Sequence, residues 1–337
     1  MNQEYSPADL EPRVVRFRDL RPCTTAVIDT RTPGSDRKEN FTIIGPGVAE
    51  NPDQFVHIDI PHGFNIGGAR QPPGCVNSQH SHETAEVFVV HSGNWRFMTG
   101  EHGDDGRVDL GPGDTISIPT RVFRGFENIG EDVGFLFAVL GGDEPGRVIW
   151  APYVFEQAAK HGMVLLENGR VIDTTRESLP ADTGPMRPTT SAEAASLARY
   201  DSAALAACTV QAEDLAPGGG WSRVKGITEC PIVGVANPAD NMPAGPIGWA
   251  HGFQLRALRI APAARTPSHS RDEEEVLMIH AGQLRIEWRG GHTDLGPGDT
   301  LTIPKGQSRT FVNPGADIAI AYVVRGGDHP RAAQRDQ

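Results

Sequence analysis

Short runs of alternating apolar and polar residues make up most of the chain. Examples are EVFVV at 86–90, DTISIP at 114–119 and GFLFAVL at 134–140, and the second half has EVLMI at 275–279 and DTLTIP at 299–304. Such runs are bounded by Gly, Pro, Asn or Asp, and a period of two between turn residues is typical of β-strands. The pattern predicts an all-β protein with antiparallel strands.

The pattern occurs twice along the chain. HGF at 62–64 returns at 251–253, and LGPGDTISIP at 110–119 returns as LGPGDTLTIP at 295–304. Because repeated blocks mark a duplicated structural unit, the repeat predicts two similar β domains in tandem. The offset between the copies falls from 189 to 185 residues, and we place this deletion in an exposed hairpin that tolerates it.

Proline-rich sequence separates the two copies. The stretch ESLPADTGPMRPTTS holds three prolines, so we expect an N-terminal domain at 1–178, a linker at 179–190 and a C-terminal domain at 191–337. The alanine-rich sequence after Thr190 begins with a capping box and predicts a helix. A second, shorter helix is expected at 153–162.

Composition and charge exclude several classes of function and partner. A net charge of −12 without a dense Lys/Arg run argues against nucleic-acid binding. The N-terminus has no apolar signal segment, and we find no run of about 18 apolar residues to span a membrane. We therefore expect a cytoplasmic protein whose partners are small molecules and a second copy of itself, as a homodimer. The four cysteines lack CxxC spacing and are expected to be free thiols.

Candidate chemistry concentrates in GCVNSQHSHETAEVFVVHSG at 74–93. Residues two apart on a strand point to the same face, so His80, His82, Glu86 and Phe88 share one face. If that face lines the inside of a barrel, two imidazoles and a carboxylate converge. This is the ligand set of non-haem Fe(II) oxygenases, and it also suits Mn or Zn.

The same stretch resembles the first motif of the cupin superfamily, G-x5-H-x-H-x3-E-x6-G. Gly74, His80, His82, Glu86 and Gly93 match all of it. The resemblance implies a bicupin: two tandem cupin barrels, each a double-stranded β-helix or jelly roll, with a few short helices. It implies His80, His82 and Glu86 as metal ligands, with Fe(II) expected first and Mn, Zn or Ni as alternatives. Cupins include dioxygenases, decarboxylases, isomerases, lyases and binding proteins, so the motif does not select one reaction.

The second cupin motif, G-x5-P-x-G-x2-H-x3-N, is matched only in part. Gly113, Pro119 and Asn128 fit, whereas Arg121 replaces the second glycine and Arg124 replaces the histidine. Arg124 thus stands where the family has its fourth ligand, and a guanidinium cannot coordinate a metal.

Three interpretations of this arginine stay open. In the first, Arg124 forms an ion pair with Glu86 and no metal binds. In the second, the three ligands keep a metal and Arg124 acts in catalysis by receiving an anionic group of the substrate, because its planar fork binds carboxylates bidentately. In the third, a further histidine, such as His57, His62 or His91, completes the metal shell.

Further substrate contacts are expected around the cluster. Phe126 and Asn128 share the strand face of Arg124, and Phe88 shares the face of the metal cluster. Arg70 lies on the strand before the motif, where either its own face or the neighbouring one points inward.

The C-terminal copy of the site is degenerate. His269, Arg271, Glu275 and Arg309 stand at its four ligand positions, so arginine replaces two of the family's ligands. We expect a second-barrel cavity without a metal, in which Glu275 pairs with Arg271 or Arg309.

Three functions remain. The first is a mononuclear non-haem Fe(II)-dependent oxygenase, dioxygenase-like, that acts on a small carboxylate-bearing or enolic/phenolic substrate. The second is a redox-neutral Mn, Zn or Ni lyase, decarboxylase or isomerase. The third is a non-catalytic protein that binds or senses an anionic ligand. The intact ligand triad favours an enzyme, and the oxygenase is the expectation taken forward.

Overall fold

The computed structural model describes residues 5–336, which form two compact units. The N-terminal unit comprises Arg21–Asp59 and Asn65–Gln211. The C-terminal unit comprises the described residues up to Leu20, the segment Ile60–Phe64 and the chain from Ala212 onwards.

The predicted linker, 179–190, lies within the N-terminal unit, and Ile60–Phe64 belongs to the C-terminal unit although it was predicted in the N-terminal domain. Two longer segments also differ from the predicted domain bounds. The start of the chain belongs to the C-terminal unit, where Val14–Val15 pairs with Thr300–Ile303. Residues 191–211 belong to the N-terminal unit, where Thr209–Val210 pairs with Thr115–Ile118. Both segments satisfy the open edge of a sheet. Such long-range pairing leaves no mark in local composition, so the sequence did not predict it.

The described residues contain 25 β-strands, labelled in chain order. The first fifteen are β1 Val14–Val15, β2 Glu39–Ile44, β3 Val56–Ile58, β4 Phe64–Gln71, β5 Val76–His82, β6 Glu86–Ser92, β7 Trp95–Thr99, β8 Gly106–Leu110, β9 Thr115–Ile118, β10 Arg124–Asn128, β11 Gly134–Gly141, β12 Val148–Trp150, β13 Met163–Leu165, β14 Val171–Asp173 and β15 Thr209–Val210. The others are β16 Ile227–Val233, β17 Phe253–Ile260, β18 His269–Ser270, β19 Glu275–Ala281, β20 Leu284–Trp288, β21 Gly291–Leu295, β22 Thr300–Ile303, β23 Thr310–Val312, β24 Ala319–Gly326 and β25 Gln334–Arg335.

Each unit has two main sheets. In the N-terminal unit the strand orders are β15-β9-β6-β11-β4-β2-β3 and β12-β5-β10-β7-β8. In the C-terminal unit they are β1-β22-β19-β24-β17-β16 and β21-β20-β23. Non-consecutive neighbours joined mostly by antiparallel pairs are typical of a jelly roll. The predicted all-β class with two tandem barrels is confirmed.

Helices are few and short. Those in the described residues are α1 Pro7–Leu10, α2 Pro152–Lys160, α3 Ser191–Ala195 and α4 Ser202–Ala206, with 3-10 turns at Glu11–Arg13, Phe17–Asp19, Ile28–Arg31, Ala212–Asp214 and Pro238–Asp240. The predicted capping box of Thr190 and Glu193 starts α3. The alanine-rich stretch is nevertheless two helices, because Asp201 caps a new start by accepting from the backbone of Ala204. No helix in the described part of the chain is long and apolar enough to cross a membrane.

An aromatic core in the N-terminal unit fixes the strands that carry the candidate site. Phe88 of β6, Phe97 of β7 and Phe126 of β10 are buried, and their ring centroids lie 5.2 to 5.6 Å apart. Burial of one such ring contributes roughly 1.5–3 kcal/mol. Because Phe88 follows Glu86 by two residues on β6, this packing also sets the position of the Glu86 carboxylate.

Two positions where the cupin motif has glycine keep the backbone conformation without the glycine. Arg121 has a φ of 59° and Ala263 has a φ of 60°, both in the left-handed region. Their counterparts in the other copy are Gly306, with a φ of 74°, and Gly74, with a φ of 68°. The motif glycines therefore mark turns that require a positive φ.

Candidate functional site

Three side chains on two consecutive strands form the candidate site. His80 and His82 lie at the end of β5, and Glu86 begins β6. One nitrogen of each imidazole and one oxygen of the carboxylate lie within 4.8 Å of one another, and all three residues are buried. Among the described residues, no other group of three His, Cys, Asp or Glu side chains meets this spacing.

Both histidines are neutral imidazoles. Nδ1 of His80 lies 2.8 Å from the carbonyl oxygen of Ser78, which can only accept, so Nδ1 carries the proton and Nε2 the lone pair. Burial and the nearby charge of Arg124 lower the pKa of His80 to about 3, and they hold the pKa of His82 well below its usual range. Nδ1 of His82 is buried without a hydrogen-bond partner among the described residues. Neutral imidazole is the form that binds metals.

Arg124 lies on β10, opposite His80 in the register of β5 and β10. Its guanidinium is fully buried, and Nη2 donates a 2.8 Å hydrogen bond to Oε2 of Glu86. Burial raises the pKa of Glu86, and the charge of Arg124 opposes that rise. The ion pair expected in the first interpretation of the sequence is therefore present.

This position does not suit the expected role of Arg124 as a catalytic anchor for the substrate. An enclosed guanidinium that is engaged by Glu86 reaches a ligand only if the pair breaks, which is costly for buried charges. Arg124 is also not among the described side chains that line the adjoining cavity. The contact instead holds the Glu86 carboxylate in place, as hydrogen bonds to metal-binding carboxylates do.

A cavity of about 110 Å³ adjoins the three side chains, and His80, His82 and Glu86 form part of its wall. Its large apolar members are Phe41, Phe88, Phe126, Leu140, Val148 and Trp150. No lysine or arginine is among the described residues that line it. A mostly apolar wall with a few polar groups is typical of a small-molecule site.

The predicted substrate contacts divide into two groups. Phe88 and Phe126 line the cavity, as expected. Arg70 does not, because its guanidinium pairs with Glu39 on the neighbouring strand and lies over the ring of Phe41, 5.0 Å from the ring centroid. On β4, Gly67, Gly68 and Ala69 line the cavity, and Arg70 does not.

Asn128 also lies outside the cavity wall. Its amide nitrogen donates hydrogen bonds of 2.8 Å to the carbonyl oxygens of Gln71 and Asp132, so it joins a turn to a neighbouring strand. Asn313 makes the matching bond to Ile260 in the C-terminal barrel. The motif asparagine is therefore a structural residue in both barrels, and the expectation that it contacts substrate is corrected.

None of the three further histidines joins the cluster in the described structure. Nε2 of His57 accepts from the backbone of Arg21. Nε2 of His62 lies 2.6 Å from the hydroxyl of Thr302 within the C-terminal unit. The ring of His91 packs edge-on against neighbouring phenylalanines. A metal shell completed by one of these histidines does not fit the geometry.

A buried ion pair beside His80 was not predicted from the sequence. Lys38 Nζ contacts the carboxylate of Asp29 and donates to Oδ1 of Asn77 at 2.9 Å. The Asp29 carboxylate also accepts from the backbone of Ser78 at 3.0 Å, which holds the strand at His80. Lys38 lies in a polar stretch typical of an exposed loop, so only the tertiary structure reveals its burial.

Trp150 links the cavity to a second buried carboxylate. Its ring centroid lies 5.3 Å from that of His80, and its indole nitrogen donates to Glu50 at 2.6 Å. The backbone of Ile28 donates to the other oxygen of Glu50 at 2.7 Å. Burial raises the pKa of Glu50 from 4.5 to about 8 against the effect of these hydrogen bonds.

This shift predicts a pH-dependent stability. A folded-state pKa above the unfolded one means that Glu50 stabilises the fold fully below pH 4.5 and loses that contribution as the pH rises to about 8. A shift of this size corresponds to a loss of a few kcal/mol, at most about 5. Urea unfolding at pH 5, 7 and 9 should show that the stability of the wild type falls relative to that of Glu50→Gln as the pH rises, because the buried neutral histidines act alike in both proteins. Parallel profiles for the two proteins would contradict it.

The C-terminal counterpart keeps an imidazole, His269, at the position of His80 but has the charged Arg271 at the position of His82. Oε1 of Glu275 lies 3.2 Å from Nε of Arg271 and 2.7 Å from Nε of Arg325, and Oε2 accepts from Arg309. Both predicted pairings of Glu275 are present, and Arg325 is a third partner that the motif did not indicate. Burial alone would raise the pKa of Glu275, but the guanidiniums of Arg309, Arg325 and Arg271 hold it well below its usual range.

The ionic cluster extends beyond the motif residues. Asp240 Oδ2 accepts from Arg271 at 3.0 Å and from Arg256 at 3.1 Å, and Arg256 also donates to Glu229. Nδ1 of His269 bonds the backbone, while its ring packs on Trp221 with centroids 4.0 Å apart. In this barrel, therefore, the charged residues at the motif positions form ion pairs with one another and with nearby charged side chains.

Comparisons with known proteins agree with this architecture. The family model described as a cupin domain matches residues 69–140 and 257–325, one range in each barrel. No curated protein matches the chain in sequence.

Two solved structures have a similar fold over nearly the whole chain. The formate complex of oxalate decarboxylase from Lactobacillus farciminis has 12% identity and a TM-score of 0.59, and the match covers 98% of this chain and 89% of that one. Oxalate decarboxylase from Bacillus subtilis has 13% identity and a TM-score of 0.55, with 99% and 79% covered. The two matched ranges, one in each unit, show that this chain has two cupin domains in tandem, the arrangement of a bicupin.

Proposed function

We propose that the chain is an enzyme whose N-terminal barrel holds one divalent metal on His80, His82 and Glu86. The observation that carries the proposal is the convergence of two neutral imidazoles and one carboxylate on the wall of a small cavity. The backbone of Ser78 sets the tautomer of His80, and Arg124 holds Glu86. Nitrogen and oxygen donors of this kind suit Mn, Fe or Zn.

The charges around the site support an anionic substrate. With both imidazoles neutral, the charges of Glu86 and Arg124 cancel, so the full charge of a divalent cation is left for ligands from solution. Carboxylate, enolate and phenolate oxygens meet that charge. When bound, the cation supplies Lewis-acid activation of such oxygens. The protein side chains orient the ligand set, and the apolar wall excludes water from the reacting group.

The proposed reaction is redox-neutral, of the lyase or decarboxylase class, with Mn(II) as the cation. The similar structures are named as oxalate decarboxylases, which supports this class above the Fe(II) oxygenase expected first. The oxygenase stays as the second candidate on one observation. Arg124 leaves only three protein ligands, and a site with two histidines and one carboxylate has room for substrate and O₂ together on iron.

Metal analysis tests the proposal. Protein purified without chelator and dialysed against MnCl₂ should retain about one divalent ion per chain by mass spectrometry, because one of the two barrels has the ligands. Protein that retains none would contradict it and leave a ligand-binding function. An oxygen electrode then separates the two reaction classes, since turnover with no O₂ uptake supports the lyase and stoichiometric uptake supports the oxygenase.

A further inference from the structure

Two polar atoms in the cavity wall have no protein partner. Nδ2 of Asn40 and Oε1 of Gln54 are buried, and neither has a hydrogen-bond partner among the described residues. Both residues line the same cavity as His80, His82 and Glu86. One atom is a donor and the other an acceptor. Buried polar groups are nearly always hydrogen-bonded, so an unpaired donor and acceptor in a cavity wall indicate a ligand contact.

The position of the two amides follows from β2. Asn40 and Thr42 are two residues apart on this strand and share a face. The amide nitrogen of Gln54 donates to the hydroxyl of Thr42, which leaves the carbonyl oxygen Oε1 as the unused group. This internal bond holds the Gln54 amide and so preorganises its acceptor.

Small residues on the next strand leave space in front of the two amides. In the register of β2 and β4, Asn40 is opposite Ala69 and Thr42 is opposite Gly67. Ala69 and Gly67 both line the cavity. A glycine inside a strand often marks the close approach of a ligand.

We propose that Asn40 and Gln54 form a subsite for a neutral amide-like edge of a small, otherwise apolar ligand. Asn40 donates to the carbonyl oxygen of that edge, and Gln54 accepts from its N–H. An anionic group is disfavoured at these two amides, because no lysine or arginine is among the described lining residues. The identification of this ligand as the substrate rests on the proposed function. On that basis, the substrate class is a lactam or carboxamide on an apolar ring that also carries an anionic oxygen for the metal.

Titration of metal-free protein with 2-pyridone, followed by NMR chemical shifts, tests the subsite separately from the metal. This probe presents a carbonyl and an N–H side by side on a ring. N-methyl-2-pyridone, which lacks the N–H, should bind at least about tenfold more weakly, as expected for one lost hydrogen bond. Asn40→Leu and Gln54→Leu should each weaken 2-pyridone binding by at least about tenfold.

Gln71→Leu is the matched control variant. Both amide atoms of Gln71 are also buried and unpartnered, but Gln71 is not among the described lining residues, so its change should leave the affinity within about twofold. Equal affinities for the two pyridones, or folded wild-type protein that binds neither, would overturn the subsite. Because the titration uses metal-free protein, a chain that binds 2-pyridone as described but retains no metal would refute only the proposed function.

Discussion

Replacing His82 with alanine is expected to lower the retained divalent metal from about one ion per chain to below about a tenth. The imidazole is one of three ligands, and loss of even an outer partner of a ligand costs 10–100-fold in affinity, so loss of the ligand itself costs more. No other group of His, Cys, Asp or Glu with this spacing is present in the described residues to replace it. Mass spectrometry after dialysis measures the content.

His269→Ala is the control for this experiment. His269 occupies the corresponding motif position in the C-terminal barrel, where its neighbours are the guanidiniums of Arg271 and Arg309. Two positive charges beside one imidazole repel a dication, so this variant should retain the wild-type metal content. Full metal retention by His82→Ala, or metal loss in His269→Ala alone, would place the metal elsewhere.

The second large effect is expected in the C-terminal barrel, where Glu275→Gln should destabilise the protein by about 3–5 kcal/mol. The change leaves three buried guanidiniums facing a neutral amide, and breaking a buried ion pair by removing one partner is strongly unfavourable. Urea unfolding at constant pH measures the loss, with circular dichroism to establish that the variant is folded before the titration.

Asp294→Asn is the matched control for Glu275→Gln. Asp294 forms a two-point ion pair with Arg285, but its side chain is 55% exposed. A solvent-exposed pair contributes about 0–1 kcal/mol. A loss of less than about 1 kcal/mol for both variants would show that the buried cluster contributes little to stability.

The two barrels thus carry different side chains at the same motif positions. In the first barrel the backbone of His80 lies opposite that of Arg124 in the register of β5 and β10. In the second barrel the backbones of His269 and Arg309 form an isolated β-bridge. The N-terminal copy has one buried arginine on its carboxylate and two neutral imidazoles. The C-terminal copy has three arginines on Glu275, a charge pattern that disfavours a dication. We infer that chemistry belongs to the N-terminal barrel alone.

Much of this architecture was predictable from the sequence. The short apolar runs EVFVV and EVLMI predicted strands, and all five residues of each run are buried in β6 and β19. The repeat predicted two copies of one fold. The spacing of His80, His82 and Glu86 predicted that they converge inside the barrel, and they do; the prediction that they share one strand was wrong, because β5 ends at His82 and Glu86 begins β6. The pairing of Glu275 with Arg271 and Arg309 followed from the same motif positions in the second copy, whereas its contact with Arg325 did not.

The features that the sequence did not predict depend on contacts between distant segments. Lys38 is charged and lies in a polar stretch, yet it is buried against Asp29. The direction of the Arg124 side chain depends on whether Glu86 or a ligand engages it, which the motif does not encode. Asn40 and Gln54 lie outside the motif, and only the shared cavity brings them together.

Anomalous diffraction from crystals grown with MnCl₂ tests the central claim most directly. The predicted result is one peak per chain, within bonding distance of a nitrogen of His80, a nitrogen of His82 and an oxygen of Glu86. The C-terminal barrel should show no peak near Glu275. A map with no peak at the three N-terminal ligands, from protein that retains manganese in solution, would contradict the account.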